Sequence, residues 1–435
     1  MRVPMLRSFR ILGLLAPAAF LSAQVADFGG SYVYPTDQIP VPYSAAGERN
    51  AVSVLRGLEG LPFDPEKGYL LPVLEKLGIP ISSQTLVFSK TSFQAPLIHP
   101  RAPRALYFND DVYVGWVPGS DVLEISVADP VRGGVFYTLA QRRGQRLTLR
   151  RADECLQCHA SPRTLGVPGH MVRSVYPAPD GFPHTNIGSF VTDHRTPFEQ
   201  RFGGWYVTGS HGSMRHLGNT FAPDEEQPDK VDRESGANVA SLTSRFDVSA
   251  YPSPHSDIVA LMVLEHQTTG HNYITRVNYE TRNALKAQET INALTNEPDA
   301  PWSDSTRRRV HGAVEALLSY FLFAGETPLP EPVTGTSAFT GDFRATGPAD
   351  QDGRSLREFD LKTRLFRHRC SFLIYSPAMN ELPAVVQELF YSRLRVVLRG
   401  EDDSGRYAYL PKSERRAILG ILAGTHPAFR ASMVR

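Results

Sequence analysis

The chain has 435 residues, with 46 basic and 45 acidic side chains and a formal net charge of +1. Residues 1–23 contain three arginines and no acidic residue, so their removal would leave a charge of −2. A nearly neutral chain gives no reason to expect binding to nucleic acid or to an anionic membrane. Only three cysteines are present, which excludes a disulfide framework, so stability must come from a buried apolar core.

The first 23 residues have the pattern of a secretory signal peptide. Three arginines precede an apolar run at residues 11–21, which Pro17 interrupts, and Leu21-Ser22-Ala23 supplies the small residues of a cleavage site. The run is too short to cross a bilayer as a helix, so cleavage is favoured over an uncleaved membrane anchor. We therefore expect a mature chain that is periplasmic or otherwise exported. No later stretch is long and apolar enough to predict a transmembrane span.

Residues 24–84 are predicted to form an N-terminal arm with short helices near residues 51–58 and 65–77. The second helix has apolar residues at helical spacing and is followed by Gly78 and Pro80, which end helices.

Residues 85–150 have a pattern typical of strands rather than of helices. Aromatic and β-branched runs separated by turn residues occur at 86–88, 105–108, 112–117, 123–127, 135–139 and 146–150. This pattern predicts an antiparallel β meander.

The sequence Cys155-Leu156-Gln157-Cys158-His159 follows the last of these runs. It has the C-x-x-C-H pattern of covalent haem attachment. Two thiols three positions apart reach the vinyl groups on one edge of a porphyrin, and the histidine then lies beneath the ring as iron ligand. The alternatives are a redox cysteine pair or half of a zinc site. A zinc site needs about four protein ligands, usually as paired clusters, and Cys370 is the one further cysteine in the sequence. The motif predicts one covalent haem c whose iron is bound by His159.

The sixth iron ligand is expected from the loop at residues 204–219. This loop contains His211, Met214 and His216 among several glycines, which allow a backbone to approach a flat macrocycle closely. The two histidines are favoured slightly over the methionine. His170 and Met171 are weaker candidates, because they follow the motif too closely to pass easily around the edge of the ring. The alternative is a polar surface loop whose histidines cap local backbone groups.

Two long helices are predicted at residues 256–294 and 304–324. The first opens with seven apolar residues and should be buried, and Glu265 and His266 directly follow that run. Such groups are costly to bury unless they are hydrogen-bonded or bind a ligand. They are candidates for a distal acid/base or ligand pair over the haem. The alternative, which we favour, is a satisfied buried polar network.

Residues 326–435 are predicted to contain an extended segment at 334–357 and two helices at 383–398 and 412–423.

Arginine side chains suit haem propionates because they donate two parallel hydrogen bonds to a carboxylate. The candidates for this role are Arg173, Arg276, Arg364, Arg367 and Arg369.

Around Cys155 to His159 the chain resembles a single-haem c-type cytochrome, although a strand precedes the motif where small class I cytochromes c have a helix. Over most of the mature chain it resembles a group of exported bacterial cytochrome-like proteins. The stretches that carry this resemblance are Arg104–Trp116, Ala260–Gln267 and Ser371–Pro377. The resemblance implies a haem-binding, electron-transfer role and no particular substrate.

The sequence therefore predicts an α+β protein in which the meander and the long helices enclose a covalently bound haem. The expected parts are a signal peptide at 1–23, the arm at 24–84, a haem-binding domain at 85–325, and a C-terminal segment at 326–435 that packs on the same body. The favoured function is electron transfer with a redox partner protein or a small electron donor or acceptor. A peroxidase-like enzyme and a haem-based sensor are the alternatives.

Overall fold

The fold was taken from a computed structural model, which describes residues 33–45, 50–56, 59–144, 147–224, 226–227 and 230–433. The predicted signal peptide and the start of the N-terminal arm lie outside these residues. The described residues form an α+β fold, as predicted, around a seven-stranded antiparallel sheet. Among them, no helix has the length and apolar character that crossing a membrane requires.

The elements are as follows. The strands are β1 (Asp37–Gln38), β2 (Val41–Pro42), β3 (Thr85–Val87), β4 (Arg104–Phe108), β5 (Val112–Trp116), β6 (Val122–Asp129), β7 (Gly133–Ala140), β8 (Leu149–Arg151), β9 (Arg173–Val175), β10 (Ser189–Val191), β11 (Trp205–Tyr206), β12 (Gly209–Ser210) and β13 (Thr334–Gly335). The helices are α1 (Leu70–Leu77), α2 (Leu156–His159), α3 (Ile258–Leu294), α4 (Asp304–Phe321), α5 (Phe339–Ala345), α6 (Pro377–Asn380), α7 (Ala384–Arg399), α8 (Lys412–Thr425) and α9 (Pro427–Ser432).

The seven-stranded sheet has the strand order β11-β3-β4-β5-β6-β7-β8, and all its neighbouring strands are antiparallel. Strands β3 to β8 follow one another along the chain, so the predicted meander is confirmed. Strand β11 returns from the loop-rich region and extends the sheet by pairing Trp205 with Val87. The C-x-x-C-H motif leaves the opposite edge of the sheet, directly after β8.

The two faces of the sheet serve different cores. On one face Tyr107, Val114, Ile125 and Tyr137 lie opposite one another across four strands and pack with α1. On the other face the corresponding row is Phe108, Tyr113, Ser126 and Phe136. Phe108 and Tyr113 of this row belong to the large core that α3 and α4 also build. Phe136 of this row contacts the His159 ring of the motif, so the motif lies beside the face that the long helices cover.

Helix α3 is the central element of that large core. Every residue from 258 to 279 is buried, so the prediction of a helix that is buried on all sides is confirmed. Asp257 caps its start, accepting hydrogen bonds from the backbone N–H groups of Val259 (2.8 Å) and Ala260 (3.4 Å). The same carboxylate accepts a hydrogen bond from the Ser337 hydroxyl at 2.7 Å. This cap ties the segment after β13 to the start of α3.

Several predicted boundaries differ from the structure. The helix expected near 51–58 is a 3₁₀-helix at Ala51–Leu55, and the helix expected from 65 begins at Leu70. The prediction that residues 334–357 are extended is wrong, because they contain α5. Phe339 and Phe343 lie one turn apart on α5 and bury their rings in the large core. Tertiary burial outweighs the weak helix propensity of this segment, which is rich in Gly, Thr and Asp.

Candidate functional site

The C-x-x-C-H motif forms one tight helical segment at the edge of the sheet. The backbone N–H of Ala152 donates to the Phe136 carbonyl at 3.0 Å, which anchors the segment to β7. A 3₁₀ turn at Asp153–Cys155 then continues into α2. Cys155 is half-buried, Cys158 is exposed, and both are free thiols. Because residues three apart share a helix face, the two sulfur atoms are presented on the same side.

The His159 ring is held in one tautomer by its backbone partner. Its Nδ1 lies 2.9 Å from the carbonyl oxygen of Gly169. A carbonyl oxygen can only accept, so Nδ1 carries the hydrogen and Nε2 keeps its lone pair. Burial also lowers the pKa of His159, which keeps the ring neutral. Nε2 of a neutral imidazole is a usual metal-binding atom, and here it is left available.

A second hydrogen bond joins the same two residues in the opposite direction. The Gly169 N–H donates to the His159 carbonyl at 2.8 Å. Two reciprocal hydrogen bonds fix both the backbone and the ring of His159 relative to the segment that follows the motif. The ring also packs against Phe136, with 4.8 Å between centroids.

His170 follows Gly169, and its backbone N–H belongs to the same peptide group as the Gly169 carbonyl. Its ring packs on Phe136 at 5.5 Å and on Tyr113 at 4.5 Å, and its Nε2 is 3.1 Å from the Ser126 hydroxyl. Burial lowers the pKa of His170 well below its ordinary value, so this ring is also neutral. His159 and His170 therefore pack on the same Phe136 ring.

Two arginines flank the motif. Arg104 forms an ion pair with Glu124 on the sheet and lies over Gly115, where a Cβ atom would overlap its guanidinium. Arg173 donates to the Ser189 hydroxyl at 2.7 Å and acts electrostatically on both Cys158 and His159. Among the contacts of the described residues, Arg173 meets no carboxylate. Its guanidinium is therefore a cation near the motif that no carboxylate of the described residues compensates.

A surface cavity of about 450 Å³ lies beside β10. It is bounded on one side by β10, whose Val191 pairs with Arg173, and on the other by residues 193–200. The remaining arginine candidates are engaged elsewhere. Arg276 donates to the Leu165 carbonyl at 2.9 Å, and Arg367 pairs with Glu358 at 2.8 Å. Arg364 and Arg369 both pair with Glu414, at 3.8 and 2.6 Å.

The loop with the candidate sixth ligands forms its own local cluster. His211 Nε2 accepts from the Asn238 N–H at 3.1 Å, and His216 Nδ1 accepts from the Gly218 N–H at 3.0 Å. The two rings are 4.6 Å apart, and Met214 is buried beside them. No contact among the described residues joins this loop to His159. The arrangement is that of histidines that satisfy local backbone groups.

Glu265 and His266 belong to a buried polar network. Glu265 pairs with Arg201 at 3.3 Å, and both side chains are almost fully buried. His266 Nδ1 lies 2.9 Å from His194 Nδ1, and its Nε2 lies 2.8 Å from the Ser371 hydroxyl. Its ring is also stacked on Phe323 at 4.5 Å. Within the described part of the chain, no contact joins this network to His159.

The structure thus brings the two cysteines and His159 together, and it leaves the other two candidate groups as separate clusters. Within the described ranges, no three His, Cys, Asp or Glu side chains are grouped so that they would hold a metal ion. Sequence reasoning missed Gly169, because a backbone acceptor carries no side-chain signature. It also missed the ion pair of Arg104 and Glu124, which only the strand register brings together.

The stability of the protein should depend on pH through Glu265. Burial raises the pKa of Glu265 to about 7, although Arg201 opposes the rise. The folded state therefore holds a proton between pH 4.5 and 7 that the unfolded chain releases. Stability from this group is complete below pH 4.5 and is lost as the pH rises through 7. Wild type should lose about 3 kcal/mol relative to Glu265→Gln across this window.

Chemical denaturation at pH 5, 6, 7 and 8 measures this difference. Glu414→Gln is the matched control, because hydrogen bonds from Arg369 outweigh burial and lower the pKa of Glu414. Its difference from wild type should stay constant from pH 5 to 8. A constant difference for Glu265→Gln as well would show that Glu265 does not bind the proton.

Comparisons with known proteins assign no family to this arrangement. The chain matches no protein-family model, no curated protein and no solved structure. The case for a function therefore rests on the chemistry of the motif and on the geometry around His159.

Proposed function

We propose that this protein is an exported c-type cytochrome that binds one covalent haem and transfers electrons. The observation that carries the proposal is the tautomer of His159. Its Nδ1–H is committed to the Gly169 carbonyl, so Nε2 is free to bind iron directly beside two free thiols. A C-x-x-C-H sequence that occurred by chance would not need this arrangement.

The residues around the motif fit a haem in three respects. Cys155 and Cys158 lie on one side of a single helical turn, as two thioether bonds to one porphyrin edge require. His159 presents Nε2 with its other nitrogen fixed, which is how protein histidines are usually oriented toward a metal. Arg173 offers an uncompensated guanidinium for a propionate carboxylate. The haem, when bound, would supply a one-electron redox couple.

Exposure of the motif favours electron transfer over catalysis. Cys158 is exposed and Cys155 is half-buried, so the attached edge of the haem would face solvent and a redox partner. An enzyme such as a peroxidase needs an acid/base group near the open side of the iron. The candidates for that role, Glu265 and His266, are already hydrogen-bonded within their own buried network.

The first prediction of this proposal is covalent haem. Wild type, produced with its export signal in a host that attaches haem c, should stain for haem on a denaturing gel at its own mass. Cys155→Ser combined with Cys158→Ser should abolish the stain, because no thioether can form. Cys370→Ser is the control and should keep it, because Cys370 is buried in the core of α3 and α4 and is not part of the motif. Haem retained by the double variant would contradict covalent attachment.

The second prediction concerns the sixth ligand. We expect His211→Ala, Met214→Ala and His216→Ala to leave the absorption spectrum unchanged in both oxidation states. The two imidazoles already accept backbone hydrogen bonds, and the loop has no described contact with His159. Arg215→Ala on the same loop controls for a general disturbance. A change from low spin to high spin in one variant would instead assign that side chain to the iron.

The third prediction separates carrier from enzyme. Small electron donors should reduce the protein rapidly, while peroxide turnover with a reduced donor should be negligible. A positioned acid/base group contributes roughly 10²–10⁴-fold to rate, and none is expected near the iron. Turnover should be the same in wild type, His266→Ala and Glu265→Gln. Fast turnover that collapses in either variant would make the protein a haem enzyme.

A further inference from the structure

The segment that supplies the acceptor for His159 is itself held from two sides. On the sheet side, the Gly134 N–H donates to the Pro168 carbonyl at 2.8 Å. On the helix side, the Asn272 amide makes two hydrogen bonds to the backbone of His170. Its Oδ1 accepts from the His170 N–H at 2.9 Å, and its Nδ2 donates to the His170 carbonyl at 2.6 Å. Asn272 is only 1% exposed, so water is excluded from these two hydrogen bonds.

The Asn272 amide and the His159 imidazole both bind the peptide group between residues 169 and 170. The Gly169 carbonyl and the His170 N–H belong to one planar amide. His159 Nδ1–H donates to its oxygen, and Asn272 Oδ1 accepts from its nitrogen. Hydrogen bonds at the two ends of an amide polarise each other, especially where water is excluded. Asn272 therefore makes the Gly169 oxygen a stronger acceptor for the imidazole proton.

Gly169 is the residue that allows this approach. A Cβ atom at position 169 would overlap the Oδ1 atom of Asn272 and would also approach the Thr164 Cβ at 3.3 Å. Any other residue would push the Asn272 amide away from the peptide group. The close contact is therefore built by a glycine on the loop together with an asparagine on α3.

We infer that Asn272 is a positioning residue for the iron ligand, acting through the peptide group between residues 169 and 170. This inference rests on the proposed function, and it adds a residue that lies 102 positions beyond His170 in the sequence. Asn272 fixes His159 in the Nδ1–H tautomer and makes Nε2 a stronger electron donor. A stronger donor favours ferric over ferrous iron, so Asn272 lowers the reduction potential.

The reduction potential of the haem-loaded protein tests this inference. Asn272→Leu should favour the ferrous state by up to about tenfold, which is a rise of 59 mV for a one-electron couple. Gly169→Ala should shift the potential in the same direction, because it displaces the same amide. Asn278→Leu is the matched control. Asn278 lies on the same helix, is 2% exposed and donates to the Val131 carbonyl at 2.8 Å, away from His159.

Equal potentials in wild type, Asn272→Leu and Asn278→Leu would overturn the inference and leave covalent haem attachment standing. Haem-free protein provides a second measurement, which does not depend on the proposed function. Its ¹⁵N spectrum should show His159 as the Nδ1–H tautomer in wild type and in Asn278→Leu, and as a mixture of tautomers in Asn272→Leu. An unchanged tautomer in Asn272→Leu would refute the role of Asn272, even if wild type proved to hold no haem.

Discussion

The pair of hydrogen bonds between His159 and Gly169 is the constraint on which the candidate site depends. A neutral imidazole has one N–H and one lone pair, so a partner that fixes the hydrogen on Nδ1 also fixes the lone pair on Nε2. The fold thereby holds His159 in the tautomer that the proposed role of iron ligand requires. The remaining contacts serve this pair, since Phe136 supports the ring and β7 and α3 hold the segment that contains Gly169.

The parts of the fold that the sequence predicted are those whose signals are local. The meander repeats a short pattern of strand and turn, and α3 opens with an apolar run that can only be buried. The extended segment expected at 334–357 failed for the opposite reason. Phe339 and Phe343 of α5 become helical because they bury against residues far away in the sequence, and the local composition opposes a helix.

The candidate site also has one part that the local sequence predicts and another that depends on tertiary contacts. Cys155, Cys158 and His159 could be identified because covalent haem attachment requires a fixed spacing of side chains. The histidines at 211 and 266 were equally visible in the sequence, yet their ring nitrogens serve backbone and side-chain partners within their own clusters. A sequence states which residues can bind a metal, whereas the partners of each nitrogen decide which lone pair is free. Those partners arise from tertiary contacts and carry no local pattern.

The proposed covalent attachment would also account for a large cofactor held at an exposed edge of the sheet. A site that holds its ligand without a covalent bond usually buries most of the ligand surface in an apolar pocket. Cys158 is exposed, and the surface cavity beside β10 has Asp193 and Arg195 on its wall. Two thioether bonds would remove the need for enclosure, because the cofactor could not dissociate. The protein would then need to build mainly the support of His159, which Gly169, His170 and Asn272 supply through one buried peptide group.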